Sequence, residues 1–209
     1  MNRRGFPGRG TKGTDETKGL FRRHGGFLST TEAIRLGVHP RTLYGLRDAR
    51  ELEPMGRGLY RLSELSPLDN PDLVTVSLRI PTGVVCLISA LSFHDLTTEI
   101  PHQVYVALAR GSERPRIAHP PVRFFWFGES TFEHGVETHK VDGFPLRIYS
   151  AEKTLADCFK FRNRIGKDTV IEALKLYRER RRPKVDDLVK FARLCRVERI
   201  MRPYLEALL

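Results

Sequence analysis

Arg41, Thr42, Tyr44 and Arg47 follow Pro40 within two helical turns. Long polar side chains at this spacing project from one side of a helix near its amino end, which is what reading duplex DNA in the major groove requires. An Arg guanidinium can donate two parallel hydrogen bonds to guanine O6 and N7, a pairing that discriminates against a wrong base by about 1–3 kcal/mol. Arg41 and Arg47 are therefore the candidates for reading sequence, with Tyr44 donating to a phosphate or lying over a sugar. Alternatively, Tyr44 packs and Arg47 pairs with Glu51 four positions on, a surface contact of about a few tenths of a kcal/mol. Arg57 stands between Gly56 and Gly58. A lone cation flanked by glycines at a hairpin tip suits a minor-groove or phosphate contact, or else is simply solvated.

Catalytic patterns are missing. The sequence contains no G-x-x-x-x-G-K-[ST] loop, no G-x-S-x-G elbow and no H-E-x-x-H. Glu152 beside Lys153 faintly resembles the pairing of acid and Lys in a metal-dependent nuclease. That chemistry wants acids converging on a metal with the Lys two positions after the second acid, so helix capping explains Glu152 more simply. His134 and His139 are five positions apart, on opposite faces if both lie on one strand. Cys86, Cys158 and Cys195 form an odd set without a C-x-x-C pair, each within an apolar stretch. They are expected to be buried reduced thiols, neither disulfides nor zinc ligands. No enzyme activity, metal or cofactor is expected.

Composition narrows the partner. The chain of 209 residues is 40 % hydrophobic, enough for an ordinary core, and carries a formal charge of +11. A balance this basic favours a polyanion. Basic against acidic residues number 7 against 2 over residues 1–25, 6 against 4 over 26–62, 7 against 10 over 63–150, and 16 against 9 over 151–209. Two basic ends thus flank an acidic middle, although any single charge is equally well a solvated helix face. No apolar run reaches the roughly 20 residues of a membrane span, and residues 1–10 lack the apolar stretch of a secretory signal. A cytoplasmic protein is expected.

These residues must be held by elements the punctuation reveals. Residues 1–13 (MNRRGFPGRGTKG) have the composition of a flexible basic tail, a phosphate-contacting arm or a start-site remnant without a role. A first helix carries Leu20 and Phe21 and ends at Gly25 and Gly26. Ser29 and Glu32 form an S-x-x-E capping box that opens a second helix, with Ala33, Ile34 and Leu36 facing inward. Gly37, Val38 and His39 make a turn, and Pro40 starts a third helix running to about Arg50, with Leu43 and Leu46 turned against Ile34 and Leu36. Residues 52–62 (LEPMGRGLYRL) suit a β-hairpin. The expected organisation is a winged helix-turn-helix over residues 14–64 and, beyond a turn-rich segment at 66–71, an α+β domain over 65–209 that ends in helices. Within it, residues 72–79 and 84–95 are expected as helices. Strands are expected at 103–109, 122–127, 136–141 and 144–149, the last two joined by Asp142-Gly143. Ser150 then caps a helix with Leu155, Cys158 and Phe159 inward. Further helices follow near 168–181, 185–195 and 197–209, interrupted by Pro183. The basic run Arg178, Arg180, Arg181, Arg182 and Lys184 is a solvated helix end, or else a contact for flanking DNA or a protein.

The segments GGFLSTTEAIRLGVHPRTLYGL, GRGLYRL, ISALSFHDLTTEIP with HQVYVALARG, and VDGFPLRIYSAEKTLADCFKFRNRIG together resemble the AbiEi-type antitoxins, the regulator half of type IV toxin-antitoxin systems used in bacterial defence against phage. The resemblance runs from about residue 25 to 161. It departs at Ala151, where family members commonly have Pro. The resemblance implies an amino-terminal winged helix that binds inverted repeats upstream of its own operon as a repressor, an arrangement that leaves room for dimerisation on the DNA. It also implies a carboxy-terminal domain that counteracts a nucleotidyltransferase toxin without a stable complex. Lys153, Asp157, Arg162 and Arg164 are the candidates for that second role, against capping and surface solvation as their plain alternative. Two other classes stay open: a winged-helix-guided, metal-dependent DNA nuclease, and a protein-interaction module without a toxin partner.

Overall fold

A computed structural model describes residues 13–56 and 58–208. The tail expected over residues 1–13 lies outside them except for Gly13, and Arg57 lies outside them as well. The chain separates into two compact units, residues 1–69 and 70–209, each with its own core. It is a mixed α+β protein. No helix among the described residues is long and apolar enough to cross a membrane.

In the first unit, α1 (Thr14–Arg23), α2 (Thr30–Arg35) and α3 (Pro40–Asp48) close over a three-stranded antiparallel sheet. Its strands β1 (Phe27–Ser29), β2 (Leu52–Pro54) and β3 (Leu59–Leu62) run in the order β1-β3-β2, with Leu28 opposite Tyr60 and Leu52 opposite Leu62. Burying Leu20, Phe21, Leu28, Leu43, Leu46, Leu52 and Leu62 supplies the drive, at about 1.5–3 kcal/mol per large apolar side chain. The capping box forms: the Ser29 Oγ accepts from the Glu32 N–H at 3.1 Å, and the Glu32 carboxylate accepts from the Ser29 N–H at 3.1 Å and from its hydroxyl at 2.7 Å.

Three expectations need correcting here. Phe27 and Leu28 form a strand that had no counterpart in the sequence reading, because three residues are too few to show alternation. Ile34 does not face the core; it is 47 % exposed, while Ala33 is the buried residue of the six-residue helix and Val38, in the turn after it, is buried beside it in the same core. The alternative pair Arg47–Glu51 does not form either: Glu51 pairs with Lys18, and Arg47 turns to Asp48.

The second unit is built on a five-stranded mixed sheet in the order β6-β5-β4-β8-β7. The strands are β4 (Val84–Val85), β5 (Val104–Ala109), β6 (Val122–Phe127), β7 (Val136–Val141) and β8 (Phe144–Tyr149). Asp142 and Gly143 join β7 to β8 with φ of 49° and 89°, the two positive values that a two-residue hairpin with the strands' own twist demands. Helices α4 (Pro71–Arg79), α5 (Leu87–Phe93), α6 (Glu129–Phe132), α7 (Ala151–Ile165), α8 (Lys167–Arg178), α9 (Val185–Leu194) and α10 (Glu198–Leu208) complete it. The helix expected over 84–95 is split: Val84 and Val85 are the central strand, paired on one side with β5 and on the other with β8. A continuous apolar run fits a strand covered on both faces as well as a buried helix, so periodicity alone does not separate them. His134 sits in the turn after α6, not on β7, so the argument from opposite strand faces does not apply to it.

Candidate nucleic-acid interface

α3 is fixed at both ends by local chemistry. His39 is its amino-terminal cap, with the ring Nδ1 accepting from the Arg41 N–H at 3.1 Å, and Pro40 fills the first helical position. The carboxyl end closes with the Glu51 N–H on the Leu46 carbonyl at 2.9 Å and the Arg50 N–H on the Arg47 carbonyl at 2.9 Å. That double bond pattern needs a left-handed residue, and Arg50 supplies it with φ of 59°. The helix therefore ends at Asp48, just short of the expected Arg50.

Between these stops Leu43 and Leu46 are buried, while Arg41, Tyr44 and Arg47 lie in solvent and Thr42 is half-buried. The three exposed residues follow at steps of three, which makes a continuous ridge along the helix. Tyr44 is 40 % exposed, and the Arg47 guanidinium carbon lies 5.1 Å from its ring centroid. Arg47 also donates from Nε and Nη2 to one Asp48 oxygen, at 2.9 and 2.7 Å. The guanidinium is thus parked on neighbours. An exposed pair of this kind contributes at most about 1 kcal/mol, so a stronger acceptor can draw it away. Gly45 is exposed among these residues, and a Cβ built on it would meet nothing within 4 Å. Arg41 with Thr14, His39, Thr42, Gly45 and Glu51 lines an open cavity of about 600 Å³. The first turn of α3 holds no acidic residue, so its amino-terminal partial charge and Arg41 act together on any anion.

His39, Gly45 and Arg50 were not singled out from the sequence. The signal for Arg50 was available only as geometry, since nothing in its residue type announces a left-handed conformation.

The four residues singled out in the second unit divide into two kinds. Lys153 and Asp157 are not solvated surface groups: both side chains have zero exposure and are paired with each other. The Ser150 Oγ accepts from the Lys153 N–H at 3.2 Å, so the expected cap forms. The Lys153 Nζ also lies 4.2 Å from the Tyr149 ring centroid and 5.0 Å from that of Phe127. Burial pushes the Asp157 carboxyl up, against the pull of Lys153 and of the Cys195 thiol, which donates to Oδ1 at 3.2 Å. As folded, neither Lys153 nor Asp157 presents an atom to a partner. Glu152 is buried too and accepts from the Tyr177 hydroxyl at 2.9 Å. By contrast, Arg164 is exposed, with its guanidinium carbon 4.4 Å from the Phe125 ring centroid, and Arg162 is half-buried and donates to the Phe159 carbonyl at 2.9 Å. The three cysteines are free and buried; burial raises the Cys86 and Cys158 thiols, and burial with the nearby Asp157 raises Cys195 to about 12. Among the described residues no group of three or more His, Cys, Asp or Glu side chains is placed to hold a metal ion.

No curated protein matches the chain. Among solved structures it is similar to the RV2827C protein from Mycobacterium tuberculosis, with a TM-score of 0.55 and 12 % identity over 97 % of this chain and 82 % of that one. At that identity the likeness is one of fold. The family comparison falls on the unit that carries the α3 ridge: residues 18–63 match the family of transcriptional regulators described as AbiEi antitoxins.

Proposed function

We propose that residues 14–64 act as a winged helix-turn-helix and that the protein is a sequence-specific DNA-binding regulator, the antitoxin of a type IV toxin-antitoxin operon that represses its own promoter. α2 and α3 are the paired helices, α3 enters the major groove, and the β2–β3 hairpin is the wing, with Arg57 as its DNA contact. The observation that carries this is the ridge of Arg41, Tyr44 and Arg47, turned outward by the burial of Leu43 and Leu46, within the segment that matches a regulator family. Arg41 and Arg47 read bases, Thr42 and Tyr44 contact the backbone or sugar, and Arg50 extends the cationic edge to the neighbouring phosphate. Gly45 lets the helix backbone approach the groove closely. The operator is an inverted repeat and the protein binds it as a dimer.

The second unit carries the antitoxin role, acting on a nucleotidyltransferase toxin without a stable complex. In it Lys153 and Asp157 position α7 from the inside, and Arg162 and Arg164 are the members of the set that reach solvent. Footprinting on the DNA immediately upstream of the protein's own reading frame tests the central part: the proposal expects protection of two symmetric half-sites, and protection spread evenly along the DNA counts against sequence reading.

A further inference from the structure

A cavity of about 520 Å³ opens in the second unit where the end of β5, the start of α6, the later half of α7 and the α9–α10 turn meet. Its lining brings together Arg110, Lys160, Arg162 and Arg196, from three separate stretches of chain, and includes no carboxylate. Among the described residues none of these four cations forms an ion pair with an acid. Asp157, behind the cavity wall, already has one oxygen on Lys153 and the other on the Cys195 thiol, and it attracts Lys160 at longer range. Four like charges around one opening repel one another unless an anion sits among them.

The turn after α9 brings Arg196 to this cavity. Among the described residues, five helix ends close with the same pair of hydrogen bonds: α1 through Gly25, α2 through Gly37, α3 through Arg50, α5 through Asp95, and α9 through Arg196, whose N–H reaches the Arg193 carbonyl at 3.0 Å while the Val197 N–H reaches Ala192 at 2.8 Å. Gly25 and Gly37 take the left-handed position at φ of 72° and 91°, where glycine is unstrained. Arg50, Asp95 and Arg196 take it at φ of 59°, 56° and 59°, a conformation that strains a residue with a Cβ. At Arg196 this closure sets the side chain at the edge of the cavity.

We propose that this cavity binds a phosphate-bearing ligand, with the phosphate gripped by the Arg162 and Arg196 guanidinium forks, neutralised by Lys160 and Arg110, and met by the Ser130 hydroxyl. Guanidinium geometry matches two phosphate oxygens at once, and Lys acts as a point charge. The volume falls in the range of sites for molecules of nucleotide size, and Ile200, 37 % exposed, adds an apolar patch beside the cations. This site is separate from the α3 ridge and stands whether or not that ridge binds DNA.

Calorimetric titration of the full chain with inorganic phosphate, with ATP, and with a short 5′-phosphorylated single-stranded oligonucleotide, each near physiological ionic strength, tests it. Saturable binding of at least one probe is expected, weakened at least about tenfold by Arg196→Gly and by Lys160→Glu. Arg196→Gly relieves the left-handed strain, so its Tm is expected to stay level or rise as binding falls. Equal affinity for phosphate and ATP identifies the bare anion as ligand, tighter ATP a nucleotide, and binding of the oligonucleotide alone a nucleic-acid end; each supports the site. No saturable binding of any probe, or binding that survives both cavity variants, overturns it.

Discussion

α3 and the first half of α7 use the same polar vocabulary in opposite ways. In α3, two leucines face inward and every charged side chain is left in solvent. In α7, all nine residues Ala151 to Phe159 are buried, so Glu152, Lys153 and Asp157 must satisfy one another and their neighbours: Lys153 pairs with Asp157, Asp157 with the Cys195 thiol, and Glu152 with Tyr177. The comparison teaches that a charged side chain is available for recognition only where the helix that bears it has one apolar edge. Once a helix is enclosed all round, the same residue types become part of the packing.

Substitutions that leave one helix intact and break the other sharpen this contrast. The largest expected effect is in α7: Lys153→Ala leaves Asp157 buried without a counter-charge and should lower stability by about 3–5 kcal/mol, read as a large drop in Tm. Replacing the pair together, Lys153→Met with Asp157→Leu, should be near neutral or stabilising by comparison. Arg41→Ala, on the exposed ridge, should change stability by no more than about 0.5 kcal/mol.

A smaller effect belongs to the capping box that begins α2. The Ser29 hydroxyl and amide both donate to the Glu32 carboxylate and hold it below its ordinary 4.5. Because the folded state binds this proton less readily, the contribution is fully present above the ordinary value and is lost as pH falls through the lowered one. The difference in denaturation midpoint between the parent and Glu32→Gln should therefore be visible at neutral pH and shrink on acidification. Ser29→Ala should cost about 1 kcal/mol at neutral pH.

The smallest change tests the ridge itself. Gly45→Ala adds a methyl group that meets nothing within 4 Å in the chain, and it should raise stability by up to about 1 kcal/mol through helix propensity. If Gly45 is where the backbone approaches DNA, operator binding should weaken although the fold becomes firmer. Equal binding would show that Gly45 has no such role.

Much of this architecture was legible in the residues. The capping box, the Pro40 start, the Asp142-Gly143 hairpin, the four longer strands of the second unit and the inward stripe of Leu155, Cys158 and Phe159 all rest on short-range chemistry that a sequence displays. What escaped depends on distant partners. Val84 and Val85 become a strand only because β5 and β8 flank them. Lys153 and Asp157, four positions apart, have the spacing of an ordinary surface pair; it is Phe127, Tyr149 and Cys195 that enclose them. At the candidate interface the outward ridge followed from Leu43 and Leu46, whereas the Arg47–Asp48 pairing and the left-handed Arg50 depend on the folded backbone.

The most direct test of the ridge as a DNA reader is a gel-shift titration of the upstream DNA with the parent protein and with Arg41→Ala plus Arg47→Ala. The two variants together should lose base preference and at least about tenfold in affinity, the equivalent of roughly 1.4 kcal/mol from lost guanidinium–guanine pairing, with Tm almost unmoved. Unchanged affinity and unchanged preference in a folded double variant would contradict the account.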